Sequence, residues 1–131
     1  MRRRVLAYVT RERNGRRELL VFDQNDPHAG TQVPAGRLDP GETLAEGLLR
    51  ELHEEAGIEQ ATIVRELGSW NTSYENHAFE VRAIGEEPAD AWEHVVLGDG
   101  DDAGLVFRYR WEPVRPDLML FHRIDPLLEA L

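Results

Sequence analysis

Residues 36–58 read GRLDPGETLAEGLLRELHEEAGI, a turn followed by a helix with clear start and stop signals. Asp39-Pro40-Gly41 is a tripeptide typical of turns. Thr43 and Glu46 have the spacing of a capping box, in which each side chain bonds the other residue's backbone N–H and so begins a helix. Gly57 is the residue type that ends a helix in the left-handed conformation. The stretch therefore predicts a helix from just after Thr43 to just before Gly57.

One side of this helix is apolar and carries one residue that weakens it. Leucines recur every four residues and predict the side that packs on the core. Gly47 lies inside the helix, where glycine costs about 1 kcal/mol relative to alanine. Close approach of another backbone would explain a glycine there. The leucines of this stripe are Leu44, Leu48 and Leu52.

The other side of the helix gathers carboxylates within little more than one turn. Glu51 and Glu55 are four residues apart, with Glu54 beside them. Side chains three and four apart on a helix are neighbours, so these like charges repel one another. Oxygen ligands of this kind bind hard divalent metals such as Mg²⁺. A solvated helix face is the ordinary alternative for such a run of charges.

The same residues resemble the signature of the Nudix hydrolases, G-x5-E-x7-R-E-U-x-E-E-x-G-U, where U is a bulky aliphatic residue. Every specified position of that signature is matched in register. The matching residues are Gly36, Glu42, Arg50, Glu51, Leu52, Glu54, Glu55, Gly57 and Ile58. The resemblance implies an α/β fold of the α+β type, with a mixed β-sheet sandwiched between helices. It also implies hydrolysis of a nucleoside diphosphate linked to another group X, by attack of water at phosphorus.

The resemblance further implies a site for Mg²⁺ or Mn²⁺, which would stabilise charge on a pyrophosphate and lower the pKa of a bound water. A backbone carbonyl near Ala35 or Gly36 would join the metal shell. Glu51 would bind metal or act as the base, while Arg50 and Glu42 would orient the shell. The expected metal ligands are Gly36, Glu51, Glu54 and Glu55, and the expected catalytic side chains are Arg50, Glu51 and Glu54.

Composition limits the other possibilities. With 131 residues, we expect one domain over 1–131. Cysteine is absent, which excludes disulfides, thiolate nucleophiles and cysteine-based zinc sites. All 15 basic residues are arginine, which excludes lysine chemistry. A net charge of −10 argues against a stable complex with a nucleic acid, and neither a signal peptide nor a membrane span is expected. We therefore expect a cytoplasmic protein.

Outside residues 36–58, the pattern predicts mostly strands. Asn14-Gly15 is a strong hairpin signal between two apolar runs. A second hairpin is expected around Tyr74-Glu75-Asn76, and the GDGDDAG segment at 98–104 is expected to be a loop. Strict alternation predicts a further strand, in which Phe107 and Tyr109 share a face. The expected strands are 4–10, 18–23, 31–34, 62–71, 77–84 and 105–111, with a short terminal helix over 125–131.

Residues that read the substrate are expected outside the helix. Aromatic rings stack on nucleobases, and Trp92 and Tyr74 are the aromatics in the most polar surroundings. Core packing is the more common role for such aromatics. Arg108, together with Arg110, is a candidate for phosphate contact, and solvation at the surface is an equally ordinary role for these arginines. An extra metal ligand or base is also plausible, and the candidates are Glu93, Asp101 and Asp102.

These observations favour a metal-dependent pyrophosphohydrolase acting on a small nucleotide. A nucleoside triphosphate or a dinucleoside polyphosphate fits the short, acidic chain better than RNA does, and ADP-ribose or another nucleotide sugar stays open. The alternative is a catalytically silent Nudix module that senses a nucleotide. A homodimer is possible, but no feature of the sequence demonstrates one.

Overall fold

The computed structural model describes all 131 residues and contains one α-helix, nine strands and a terminal 3₁₀ helix. No helix is both long and apolar enough to cross a membrane. In chain order the elements are β1 Arg3–Arg13, β2 Arg16–Asp23, β3 Ala35–Arg37, α1 Leu44–Ala56, β4 Ala61–Asn71, β5 Glu75–Ala83, β6 Ala91–Val95, β7 Val106–Pro113, β8 Met119–Leu120, β9 Arg123–Ile124 and the 3₁₀ helix Pro126–Ala130.

Strands β1 to β7 form a single mixed sheet in the order β4-β5-β1-β2-β7-β6, with β3 paired to β1. The pair β1–β5 is parallel and the other pairs are antiparallel. The first half of β1 lies between β3 and β5, because Val5 is in register with both Gly36 and His77. Since β3 leads toward α1, this pairing holds the start of β1 beside the loop that precedes the helix.

Alternation along β1 divides the core between the two faces of the sheet. Val5, Ala7 and Val9 belong to the cluster that includes Leu48 and Leu52 of α1. The intervening residues of β1 pack on the opposite face against Leu120 and Leu128 of the C-terminal segment. The mixed sheet expected from the sequence therefore has α1 on one face and the 3₁₀ helix on the other.

The helix signals of the sequence are confirmed. Thr43 and Glu46 form the reciprocal capping box, and Gly57 ends the helix with φ 74°. The reason for a glycine inside the helix differs from the expected approach of another backbone. A Cβ at Gly47 would lie 2.7 Å from Cδ2 of Leu38, so the group that approaches closely is a buried side chain and not another backbone.

The first hairpin is also confirmed, but several boundaries differ from the expectation. Asn14 and Gly15 adopt φ 54° and 76°, as a two-residue turn between right-twisted strands requires. The strand expected at 31–34 lies instead at Ala35–Arg37. Pro34 lacks an N–H, and its carbonyl accepts a 2.8 Å bond from the N–H of Ala7. The second turn covers 72–74, because Glu75 already pairs within β5.

Strand β6 was missed because its composition resembles that of a loop. Only its Trp92 and His94 are partly buried, while the residues between and beside them face solvent. It is an edge strand paired to β7 alone. The terminal helix expected over 125–131 is a 3₁₀ helix, in which Asp125 caps the N–H of Leu127.

Candidate functional site

A cleft of about 390 Å³ opens where α1, β3 and the start of β1 meet the loop after β6. All the carboxylates named by the sequence signature on the polar side of α1 line it. The helix contributes Arg50, Glu51, Glu54 and Glu55, and the edge of β3 contributes Ala35 and Gly36. The structure therefore brings together every residue that the sequence predicted as a metal ligand.

Gly36 allows the helix to approach the sheet edge. A Cβ at this position would collide with the carboxylate of Glu51, well inside van der Waals contact. Since those carboxylate atoms are packed against the backbone of β3, any larger residue would push Glu51 out of the cleft. The glycine that opens the sequence signature thus sets the position of one of its carboxylates.

Glu55 is the most deeply buried carboxyl group of the cleft, with 5% of its surface exposed. Its Oε1 accepts a 3.2 Å bond from the N–H of Ala35. Burial raises the pKa of Glu55 to about 9, and the charge of Glu51 adds to this rise. Burial also raises the pKa of Glu51, the neighbouring carboxyl group of the cleft. Two carboxyl groups in this arrangement favour either a proton or a cation between them.

Arg50 links the helix carboxylates to the preceding loop. Its Nε and Nη2 donate to the two oxygens of Glu42 at 2.7 and 2.9 Å. Its Nη1 donates to Glu51 at 3.0 Å and to Glu54 at 3.1 Å. The bonds to Glu42 are the largest cause of the raised pKa of Arg50, and the same pairing lowers the pKa of Glu42. Arg50 is therefore a permanent cation that holds two of the carboxylates in place.

The donor chemistry of the cleft fits a hard divalent metal. Carboxylate oxygens are the side-chain ligands that Mg²⁺ and Mn²⁺ prefer. In the arrangement observed, no three acidic or histidine side chains are gathered closely enough to hold a metal ion. Arg50 Nη1 instead donates to one oxygen of Glu51 and to one oxygen of Glu54. The residues have the ligand chemistry that such a metal requires and they lie in the same cleft. Their side chains would have to rotate toward the ion in order to bind it.

The loop between β6 and β7 closes one wall of the cleft. A Cβ at Gly98 would lie 2.9 Å from the carboxylate of Glu54, and the N–H of Leu97 donates to the carbonyl of Glu54 at 3.0 Å. Asp101 and Asp102, two of the expected extra ligands, line the cleft together with Asp99, which the sequence pattern did not single out. The third expected candidate, Glu93, lies on edge strand β6 and is not part of the lining.

Tyr74 also lines the cleft. Its turn is fixed by Asn76, which is buried and whose Nδ2 donates to Trp70 O, Thr72 Oγ1 and Tyr74 O at 3.1 to 3.2 Å. Tyr74 is therefore the predicted substrate-contacting aromatic that the fold places next to the carboxylates.

Trp92 and Arg108 lie outside this cleft, unlike Tyr74. Trp92 donates from Nε1 to the carbonyl of Ala56 at 3.0 Å and stacks on Tyr109 with ring centroids 5.0 Å apart. It borders a separate pocket of about 540 Å³ beside the C-terminal end of α1. Arg108 donates to the carbonyl of Gln24 at 3.0 Å and so anchors the loop after β2. Both contacts join segments far apart in sequence, so the local pattern gave no sign of them.

The comparisons with known proteins agree with the sequence signature and its setting. The model of the NUDIX domain matches residues 1–115. The chain belongs to the Nudix hydrolase family. An RNA pyrophosphohydrolase of a Nitratiruptor species is 38% identical over 53 residues, which are 40% of this chain and 34% of that protein. The Nudix chain thus spans about a third of the length of this relative.

Solved structures support the Nudix fold at low sequence identity. The NUDIX domain of Shewanella oneidensis NrtR in complex with ADP ribose superposes with a TM-score of 0.65, with 17% identity, over 97% of this chain and 83% of that one. The C. elegans Ap4A hydrolase in a binary complex gives a TM-score of 0.61, with 20% identity, over 87% of this chain and 81% of that one. At such identities the likeness describes the fold alone.

Proposed function

We propose that this single-domain Nudix chain is a Mg²⁺- or Mn²⁺-dependent pyrophosphohydrolase that cleaves a small nucleotide carrying a nucleoside diphosphate linked to X. The observation that carries the proposal is geometric: the Glu51 carboxylate packs against Gly36, Glu55 accepts from the N–H of Ala35, and Glu54 lines the same cleft. The metal would be held by these carboxylates with a carbonyl of the β3 edge at Gly36. When bound, it supplies charge stabilisation at phosphorus and a more acidic water.

We assign separate roles to Glu51 and Arg50 in the proposed reaction. Glu51 is the proposed base, because it lies against Gly36 and its carboxyl is already close to a proton-sharing partner, Glu55. Arg50 keeps Glu51 and Glu54 oriented through its paired bonds to Glu42. A fixed cation that orients two carboxylates limits their motion and so favours a preorganised site.

The favoured substrates are nucleoside triphosphates and dinucleoside polyphosphates. Tyr74 offers an aromatic face beside the cleft, where a nucleobase can stack. The similar proteins are an RNA pyrophosphohydrolase, an Ap4A hydrolase and a domain complexed with ADP ribose, so they share nucleotide chemistry without agreeing on one substrate. Pairing of this chain into a homodimer stays a prediction.

The test is a screen for release of phosphate and pyrophosphate with Mg²⁺ or Mn²⁺. The panel contains nucleoside triphosphates, dinucleoside polyphosphates, ADP-ribose, sugar nucleotides and a 5′-triphosphorylated RNA. The proposal expects hydrolysis of at least one small nucleotide that stops when EDTA is added. Folded protein that binds metal and leaves the whole panel intact would contradict the proposal and favour the catalytically silent, nucleotide-sensing module.

A further inference from the structure

Four arginines line the cleft, and they fall into two pairs. Arg50 is neutralised by the carboxylates of α1, and Arg37 lies 3.5 Å from Asp101. Arg2 and Arg4 also line the cleft, yet neither forms an ion pair with any carboxylate of the chain. What sets them apart from other arginines without an ion pair, such as Arg16, is that both lie in the same cleft, where an anionic ligand could reach them.

Arg4 is the less ordinary of the two, because it is half-buried and comes from a strand at the centre of the sheet. Its backbone is paired on both sides, with Arg37 of β3 and Asn76 of β5 in register. Burial lowers the pKa of the Arg4 guanidinium, and the charge of Glu55 is the largest influence in the opposite direction. A partly desolvated cation without a paired carboxylate costs free energy in the unliganded protein. An anionic ligand would offset that cost.

Arg2 stands two residues before Arg4 and extends the same side of the cleft. Arg2 directly precedes β1, and residues two apart in an extended chain lie about 7 Å apart on the same side. The carbonyl of Arg2 accepts a 2.9 Å bond from the N–H of Glu75, which ties this residue to the start of β5. The chain thus presents two neighbouring guanidinium groups in the lining of the cleft that also holds the carboxylates of α1.

We propose that Arg2 and Arg4 form a phosphate subsite, which selects substrates with a chain of three or more phosphates. This inference rests on the proposed function, since it assumes that the carboxylate side of the cleft holds the phosphates being cleaved. Guanidinium groups match phosphate oxygens in charge and geometry. A terminal ribose or sugar instead offers neutral hydroxyl groups. These groups are bound better by hydrogen-bond acceptors than by two guanidinium cations. The shared chemistry is a polyphosphate chain, whether it belongs to a free nucleotide or to the 5′ end of an RNA.

The kinetic test compares Arg4→Gln with Arg16→Gln. Arg16 is an exposed arginine at the turn end of β2, so its loss changes net charge equally without touching the cleft. Arg4→Gln should lower kcat/KM by about tenfold or more for ATP, diadenosine tetraphosphate and 5′-triphosphorylated RNA, as expected for loss of a charge-assisted contact. Activity on ADP-ribose should change less than about threefold. Whichever polyphosphate the wild type hydrolyses fastest identifies the source of the chain.

A binding test separates failure of this subsite from failure of the proposed function. The probe is the α,β-methylene analogue of ATP, titrated by calorimetry in the presence of Mg²⁺. Weaker binding to Arg4→Gln than to Arg16→Gln supports the subsite even if no substrate is hydrolysed. Equal binding and equal kcat/KM in the two variants would overturn it, even if the wild type proves to be a pyrophosphohydrolase. A larger loss for ADP-ribose than for ATP would overturn it as well.

Discussion

Two buried glutamates differ sharply in their surroundings. Glu55 on α1 is 5% exposed and Glu80 on β5 is 2% exposed. Glu80 accepts bonds from Thr10 Oγ1 at 2.8 Å and Arg65 Nε at 3.0 Å, with Arg17 Nη1 3.8 Å away. Glu55 accepts from the backbone N–H of Ala35 and forms no ion pair, and the charge that acts on it most strongly is that of another carboxyl group, Glu51.

We interpret the difference as that between a structural acid, Glu80, and a proposed functional acid, Glu55. The Glu80 carboxylate is satisfied by the chain itself, and Arg65 and Arg17 also donate to the carbonyls of Ala130 and Leu131, respectively. Its network therefore secures the C-terminal segment on the sheet. The Glu55 carboxylate is placed beside a like charge in a cleft, an arrangement that destabilises the protein unless a proton or a cation joins it.

The largest expected effect is on turnover. Glu54→Gln should lower kcat by on the order of a thousandfold, because it removes one of the charges proposed to hold the metal. Circular dichroism and the melting temperature should stay near those of the wild type. Glu59→Gln is the matched control, because Glu59 is exposed just beyond the end of α1 and outside the cleft. Near-normal activity of Glu54→Gln with Mg²⁺ would contradict the proposal that Glu54 binds the metal.

The next effect is on stability and has opposite signs at the two buried acids. Glu80→Gln should destabilise the protein by about 1–3 kcal/mol, since a neutral amide loses the charge that pairs with Arg65 and faces Arg17. Glu55→Gln should raise the stability of the metal-free protein at pH 8.5, because it removes a group that cannot ionise without cost. Urea unfolding in EDTA measures both. If the free energy of unfolding changed in the same direction in both variants, the proposed distinction between the two glutamates would be wrong.

The pH dependence sharpens the comparison. A pKa of about 9 for Glu55 in the folded protein, against an ordinary value of 4.5, means that the folded state holds a proton which the unfolded state has released. Stability of the metal-free protein should therefore fall as pH rises from 4.5 toward 9. The raised pKa of Glu51 acts in the same direction. Unfolding curves at pH 5.5 and 8.5 should show a smaller difference for Glu55→Gln than for the wild type, and equal differences would contradict this origin.

The smallest effect expected is a shift in melting temperature with metal. Millimolar Mg²⁺ or Mn²⁺ should raise the melting temperature of the wild type by about 3–8 °C, because a ligand of the folded state stabilises it. Glu80→Gln should respond as the wild type does, from a lower starting value. If the metal-induced rise in melting temperature were lost in Glu80→Gln but kept in Glu55→Gln, the metal would bind near Glu80 and not in the cleft.

The part of the site predicted from sequence is the part built by local rules. The helix bounds follow from Thr43 and Gly57, and helical spacing alone puts Glu51, Glu54 and Glu55 together. The signature did not reveal why Gly36 is required. The structure gives the reason, which is the contact with the Glu51 carboxylate.

What the sequence missed depends on contacts between distant segments. Trp92 and Arg108 have the chemistry of substrate-binding residues, yet they bond Ala56 and Gln24. Arg4 showed no local pattern, and only its pairing beside β3 brings it into the cleft. Edge strand β6 was missed because a strand that is mostly exposed lacks the apolar alternation by which strands are recognised.

The most direct test of the carboxylate cleft as a metal site is a titration with Mn²⁺, in which electron paramagnetic resonance measures the free ion. The wild type and Glu80→Gln should both bind Mn²⁺ with similar affinity, and Glu55→Gln should bind it at least about tenfold more weakly. Equal binding by wild type and Glu55→Gln would contradict the assignment of the buried carboxyl pair to a metal site.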